Sequence, residues 1–246
     1  MSAAEREPSA AGGQGLNLNA VGGRLSSAGA LEFAALLQQG AAPLEQCAVT
    51  PLFEGARYAC TLDNVLSPGE CEALIAETEK KGYTAALLNM GDGTEQLRTD
   101  VRSSHRCIVD SPGFADALFA RVQHAIPRAL FGASLVGLNE RLRFLRYDPG
   151  ETFKIHRDGV FERGAGPLEG EFTLITLLLY LNTGYEGCFT RFFKDHGIEA
   201  YVPEGGLPVE PGVGRVLLHE HNILHSAPPL TKGRKYVLRT DVLYKH

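Results

Sequence analysis

The sequence predicts an α+β chain with a mainly β core, a barrel or sandwich of short strands buttressed on one side by helices. Three observations lead there. Two segments with helical start signals and one apolar face come first, near residues 67–82 and 111–127. A run of short β-rich segments, separated by Gly, Pro and charged turns, fills the second half. Finally, 246 residues of which 44% are apolar suffice to bury one full core with appendages.

Residues 1–28 are rich in Ala, Gly and Ser, lack apolar periodicity and read as a disordered lead-in. Residues 29–246 are expected to form a single domain, with helical support over about 29–135 and the β core over about 138–246. A short helix is expected at 31–39, closed by Gly40, and a strand at 58–62. Ser67-Pro68-Gly69-Glu70 opens a helix: Ser67 can cap it, Pro68 suits the first helical position and Glu70 completes the capping box. Cys71, Leu74, Ile75 and Thr78 form a mostly apolar face, and Gly82 ends the helix. Residues 83–105 carry few regular signals and read as a polar loop, either solvated or a lid over substrate. Asp110-Ser111-Pro112 starts a second helix, with Ala115, Leu118, Phe119, Val122 and Ile126 facing inward until Pro127 stops it. Beyond Leu138, strands are predicted at 142–147, 172–182, 189–193, 214–219 and 235–244.

Charge and cysteine usage narrow the class. A net charge of −5 disfavours a nucleic-acid backbone as partner, which wants clustered Lys and Arg. The five cysteines are odd in number and show no CxxC spacing, so they read as separate thiols in a reducing compartment. No long apolar run with charged flanks suggests a signal peptide or a membrane span, and no membrane partner is expected. Cytoplasm is the expected location, with the nucleus as an alternative. Oligomeric state is not legible.

The chemistry concentrates in YDPGETFKIHRD, residues 147–158, read together with HNILHSAPPL further on. His156 and Asp158 sit one residue apart and can share one face of a strand end. His225 supplies a third candidate ligand. Two imidazoles and one carboxylate on one face of a metal suit non-haem Fe(II), because the remaining positions stay open for an oxidant and a co-substrate. HxD alone arises often by chance, and His219 and His221 form a competing HEH that reads better as support. A 2-oxo acid chelating such an iron needs a buried cation for its distal carboxylate. Lys235 lies ten residues after His225 at the start of the last strand. Alternation puts Lys235, Val237, Arg239 and Asp241 on one face of that strand. A cation directed into a barrel is costly unless it meets an anion, so Lys235 is the preferred anchor and Arg239 the reserve.

The segments YDPGETFKIHRDG, LLLYLN, GYEGCFTRFF, HNILHSAPPLTKGRKY and LRTDVLY together resemble the 2-oxoglutarate- and Fe(II)-dependent dioxygenases, in particular the prolyl 4-hydroxylase-like branch. The resemblance covers roughly residues 141–244 and, more loosely, the helical part from about residue 58. It implies a double-stranded β-helix (jelly-roll) core with flanking N-terminal helices. It also implies that His156, Asp158 and His225 bind iron and that Lys235 binds the distal carboxylate of 2-oxoglutarate, with Tyr147 and Thr190 supplying hydroxyls to the same co-substrate. Arg102 and Ser104 in VRSSHR are similar to the segment lining the peptide groove of prolyl hydroxylases. One departure stands out: where the family usually has two adjacent glycines, this chain has Gly187 followed by Cys188, a strained choice if φ must be positive.

The expected function is therefore hydroxylation of a C–H bond, on a peptidyl proline, with O2 consumed and succinate and CO2 released; the resemblance suggests ascorbate as an accessory. The same chemistry on a small molecule or free amino acid is the alternative within the enzyme class. A non-catalytic, metal-holding β-barrel binding module is the alternative outside it. Nucleic-acid demethylation is disfavoured by the charge.

Overall fold

The computed structural model describes residues 33–37, 47–53, 57–90 and 94–246. The lead-in at 1–28 and most of the helix expected at 31–39 lie outside the described residues, although 33–37 form a helical turn with Phe33 and Leu37 buried.

Helix α1, Pro68–Lys81, follows its sequence signals closely. The Ser67 hydroxyl accepts from the Glu70 amide, the Glu70 carboxylate accepts from the Ser67 amide, and Gly82 closes the helix at φ 86°. Glu70 is used twice. Its two carboxylate oxygens also accept from Arg121 at 2.7 and 3.1 Å, and Arg121 reaches on to the carbonyls of Val65 and Leu37. Helix α2, Pro112–Val122, begins as expected but stops before Pro127, tightening into a 3-10 turn over Gln123–Ala125. The residue preceding a proline disfavours the α region, which loosens the last turn.

The strands used below are, in chain order, β1 Ala59–Leu62, β2 His105–Asp110, β3 Ala133–Leu138, β4 Arg141–Tyr147, β5 Phe153–His156, β6 Phe172–Tyr180, β7 Thr190–Phe192, β8 Leu207–Val209, β9 Val216–Glu220, β10 His225–Ala227 and β11 Lys235–Lys245. Among the described residues they belong to two principal antiparallel sheets, one of four strands and one of ten, the latter completed by the short strands Val49–Pro51, Thr84–Ala85 and Ala129–Leu130. In the larger sheet β1, β9, β6, β11, β4 and β2 lie side by side, with β3 pairing the distal part of β11. The smaller sheet runs β5, β10, β7, β8. The two sheets face each other as a jelly roll.

Period-2 alternation assigns each side chain of the larger sheet to one of two cores. Leu142 and Phe144 of β4, Ile175, Leu177 and Leu179 of β6 and Leu238 of β11 face the helices, where Leu74, Phe114 and Leu118 meet them. Leu145, Tyr180, Leu217 and Val237 point the other way and meet Phe192, Val209 and Ala227 of the smaller sheet. The predicted face of β11 is thus the one turned into the gap between the sheets.

Several expectations need correction. β2 and β3 fall between the strand expected at 58–62 and the run expected beyond residue 138, where no strand was expected, and the tract at 83–105 holds short paired strands at Thr84–Ala85, Leu88–Asn89 and Glu95–Gln96. Only Cys107 and Val109 of β2 are buried, an alternation too brief to register as a strand signal. β6 ends at Tyr180 rather than 182, and β9 begins at Val216 rather than 214. Gly214 has φ 72°, and a Cβ there would lie 1.9 Å from the Leu66 carbonyl oxygen, so this residue serves a turn and must be glycine. β7 is shorter than expected because Gly187 and Cys188 both adopt positive φ, 78° and 55°. All five cysteines are free.

Removing one partner of a buried ion pair strands the other. Glu70→Ala, which also deletes half a capping box, is expected to cost roughly 3–5 kcal/mol, read as a lower urea midpoint.

Candidate active site

β5 and β10 run antiparallel, and His156 is paired directly with His225. Their rings lie 4.2 Å apart between centroids. Each imidazole is oriented from behind: Nδ1 of His156 donates to the Lys154 carbonyl at 2.7 Å, and Nδ1 of His225 to the Ile223 carbonyl at 2.9 Å. A carbonyl can only accept, so Nδ1 carries the proton in both rings and each Nε2 presents a lone pair. These two Nε2 atoms flank the Asp158 carboxylate, His156 at 3.8 Å from Oδ1 and His225 at 3.8 Å from Oδ2. Phe153 stacks on His156 at 3.5 Å and shields its outer face.

Asp158 is held by His221 and Arg239, expected in other roles, and by Thr176, which the sequence did not single out. The Asp158 amide donates to the His221 carbonyl at 2.8 Å. The Thr176 hydroxyl bonds the carboxylate and also meets Nδ1 of His221 at 2.8 Å. Arg239 lies 3.2 Å from Asp158 and 3.0 Å from Asp241, which in turn accepts from Arg143 at 3.0 Å. Charges therefore alternate from β4 through β11 to the loop after β5, which is how buried ions are tolerated. Burial would raise the Asp158 carboxyl, but Arg239 and the surrounding imidazoles hold it well below the usual carboxylate range. Burial, followed by the neighbouring His225, pushes His156 down to about 3. His219 packs edge-on against His225 and is likewise driven to about 3, while His221 is shifted in the same direction. His219 and His221 surround the triad rather than joining it.

A cavity of about 320 Å³ opens beside the triad. Leu145, Leu178 and Val237 supply apolar wall, and Leu87, Leu88, Val160 and Phe161 line it from the loops. Lys235, 2% exposed, also lines it. Its ammonium donates to the Cys188 carbonyl at 2.5 Å and lies 5.3–6.0 Å from the rings of Tyr147, Tyr180 and Tyr185. Among the described residues no carboxylate pairs with it, and burial pushes its pKa down. Tyr147 pairs with Lys235 across the sheet. The Tyr180 hydroxyl donates to Thr190 at 2.8 Å, whereas the buried Tyr185 hydroxyl has no hydrogen-bond partner among the described residues. Lys235, Tyr147 and Thr190 are thus brought together, while Arg239 is committed to two aspartates. Arg102 lies over the Phe153 ring at 4.8 Å and donates from Nε to the Ser104 hydroxyl.

Alternation within β6 could have revealed Thr176 and Tyr180, which share a face with Leu178. Tyr185 lies in an irregular loop and gave no such signal. A second group, His105 with Asp148 and Glu151, is engaged with nearby charges: His105 lies 3.0 Å from Glu151, and Asp148 meets Arg146 and Arg234.

The donor set fits a metal ion. Two Nε2 lone pairs and an ionised carboxylate converge, with ligand atoms mutually within 4.8 Å. Adjacent ligands at about 2.1 Å from a metal would sit roughly 3 Å apart, so closing the 3.8 Å separations takes less than an ångström per atom. The buried Lys235 ammonium and the unpartnered Tyr185 hydroxyl fit an anionic co-substrate in the same way, each a polar group lacking what burial demands.

This fold recurs in prolyl hydroxylases. A prolyl-4-hydroxylase from Pseudomonas putida superposes with a TM-score of 0.52 at 18% identity, over 87% of this chain and 99% of that one. A prolyl hydroxylase from Trichoplax adhaerens, solved with a peptide fragment of the hypoxia inducible factor oxygen degradation domain, superposes with a TM-score of 0.54 at 13% identity, over 88% and 93%. No protein-family model matches the sequence, and no curated protein matches it in a sequence search. At the level of fold, the chain is prolyl 4-hydroxylase-like.

The depressed imidazoles fix a pH response. In the unfolded chain histidine titrates near 6.5, so between there and about pH 3 the unfolded state binds more protons than the folded one. Stability is complete above about pH 6.5 and falls on acidification, by about 1.4 kcal/mol per pH unit for each such imidazole. The Tm of the metal-free protein is expected to drop between pH 7 and 5, and to drop less in His219→Gln.

Proposed function

We propose that the protein is an Fe(II)- and 2-oxoglutarate-dependent dioxygenase that hydroxylates a peptidyl proline. The observation that carries this reading is the pairing, in one cavity, of a His-Asp-His triad with a buried lysine that meets no carboxylate among the described residues. His156, Asp158 and His225 would hold iron; bound there, it supplies the redox chemistry that couples decarboxylation of the oxo acid by O2 to oxygen insertion into a C–H bond. Lys235 would take the distal carboxylate of 2-oxoglutarate, helped by the hydroxyls of Thr190, Tyr147 and Tyr185.

The rest of the site orients and shields. Carbonyls behind both imidazoles keep the coordinating nitrogens unprotonated. Arg239 and Thr176 fix the carboxylate of Asp158 and leave it less freedom to swing. Leu145, Leu178 and Val237 exclude water around the co-substrate. Val160 and Phe161 are 61% and 45% exposed, an unusual state for such side chains beside a cavity, and offer apolar contact to a chain lying across its mouth. The apolar rim and the peptide-bound Trichoplax relative support a peptide as substrate.

Anaerobic addition of Fe(II) and 2-oxoglutarate should produce a weak charge-transfer absorption in the visible, lost in His156→Ala and Asp158→Ala. A colourless mixture, with no succinate released on exposure to air and proline-containing peptides, would sink the proposal. Lys235→Met should weaken 2-oxoglutarate binding about ten- to a hundredfold while sparing metal affinity. Arg239→Met should weaken metal affinity by about 10- to 100-fold, measured by Mn(II) titration.

A further inference from the structure

The net charge of the chain is negative, yet its cavity is lined by six cations and three carboxylates. Of those cations, Arg106 pairs with Glu95 at 2.6 Å, Arg143 with Asp241 at 3.0 Å and Arg157 with Asp195 at 2.9 Å. Arg239 pairs with Asp158 and Asp241. Lys235 is taken up by the co-substrate in the reading above. That leaves Arg102. Among the described residues no carboxylate lies within ion-pair distance of it; its partners are the Ser104 hydroxyl, bonded to Nε, and the face of Phe153. A guanidinium has five donors, so Nη1 and Nη2 keep four free beside the cavity.

Its setting is rigid. Arg102 forms a β-bridge with Phe153, and Phe153 stacks on His156. Ser104, which holds Nε, is itself only 2% exposed. The guanidinium is therefore fixed one aromatic ring away from the triad, with its fork open. Iron and 2-oxoglutarate carry opposite double charges, so loading the site leaves the excess of positive charge in place. A planar fork of this kind matches a carboxylate in two parallel hydrogen bonds.

We propose that the substrate carries a carboxylate, bound by Arg102, close to the carbon that is hydroxylated. The inference rests on the dioxygenase reading and narrows its substrate to acidic molecules. The carboxylate has three chemical sources: an acidic side chain beside the proline, a C-terminus, or free proline itself.

The test uses the full-length protein loaded with Mn(II) and 2-oxoglutarate, which binds without turning over, and calorimetric titration of three matched pairs. These are a proline peptide flanked by Glu or by Gln, a peptide ending in proline as acid or as amide, and L-proline or L-prolinamide. One acidic member is expected to bind at least about tenfold more tightly than its neutral partner, and that pair names the source. Arg102→Met should erase the difference and Arg102→Lys should keep part of it. Arg102→Glu should invert it when a Lys-flanked peptide is offered, which no merely structural role would do. Equal binding within all three pairs overturns the inference, and so does a preference that survives in Arg102→Met. Loss of 2-oxoglutarate affinity in Arg102→Met with the peptide preference intact overturns it as well. The titrations are repeated without metal and co-substrate, so that failure to load, which counts against the dioxygenase reading, is read separately from absence of a charge preference.

Discussion

The cross-strand pairing of His156 with His225 is the constraint on which the site depends. Each histidine faces the cavity only because β5 and β10 meet in that register. A shift of one residue would turn an entire strand over and send one imidazole out of the triad. The other edge of β10 is paired as well, Phe192 of β7 with His225, and a register shift separates the His156–His225 pair from the pairing of Phe153 with Ala227. The two nitrogens that converge are thus specified by backbone pairing before any ion contributes.

The second constraint is electrostatic. Burying Asp158 would be costly in isolation, and the larger sheet answers by alternating charges across neighbouring strands, Arg143 to Asp241 to Arg239 to Asp158. Because Arg239 already meets two carboxylates, it is not available to a third. Lys235, four residues earlier on the same strand face, meets the carbonyl and thiol of Cys188 and three tyrosine rings, with no carboxylate beside it among the described residues. One strand therefore presents two cations to one cavity in opposite states, the first without a carboxylate among the described residues and the second paired with two.

How legible was this in the sequence? Helix α1 was readable because Ser67, Pro68, Glu70 and Gly82 each act locally. The long strands were readable because their apolar runs are dictated by two cores. β2 and the short pairs within 83–105 were not, since what makes them strands is a neighbouring edge rather than anything in their own residues: β2 lies on β4, Thr84–Ala85 on β2, and Leu88–Asn89 on Glu95–Gln96. The triad could be guessed from two motifs, but its ring orientations depend on carbonyls whose positions no pattern reveals. Tyr185 owes its place to a loop, and Thr176 was overlooked as an ordinary strand residue. The turn at Gly187 and Cys188 does require positive φ, so the cysteine sits in a conformation that glycine would adopt more readily. Its carbonyl is the one that Lys235 meets.

β11 lies between β6 and β4 and also pairs with β3, yet it follows all three in the chain. During translation, then, the flanks of the sheet leave the ribosome before the strand that joins them, and β4 and β6 must wait with bare hydrogen-bonding edges. A nascent chain in that condition is exposed to wrong pairing with its neighbours, and it gains protection only when the strand that also carries Lys235 and Arg239 arrives. Completion of the sheet and completion of the pocket are a single event in biosynthesis.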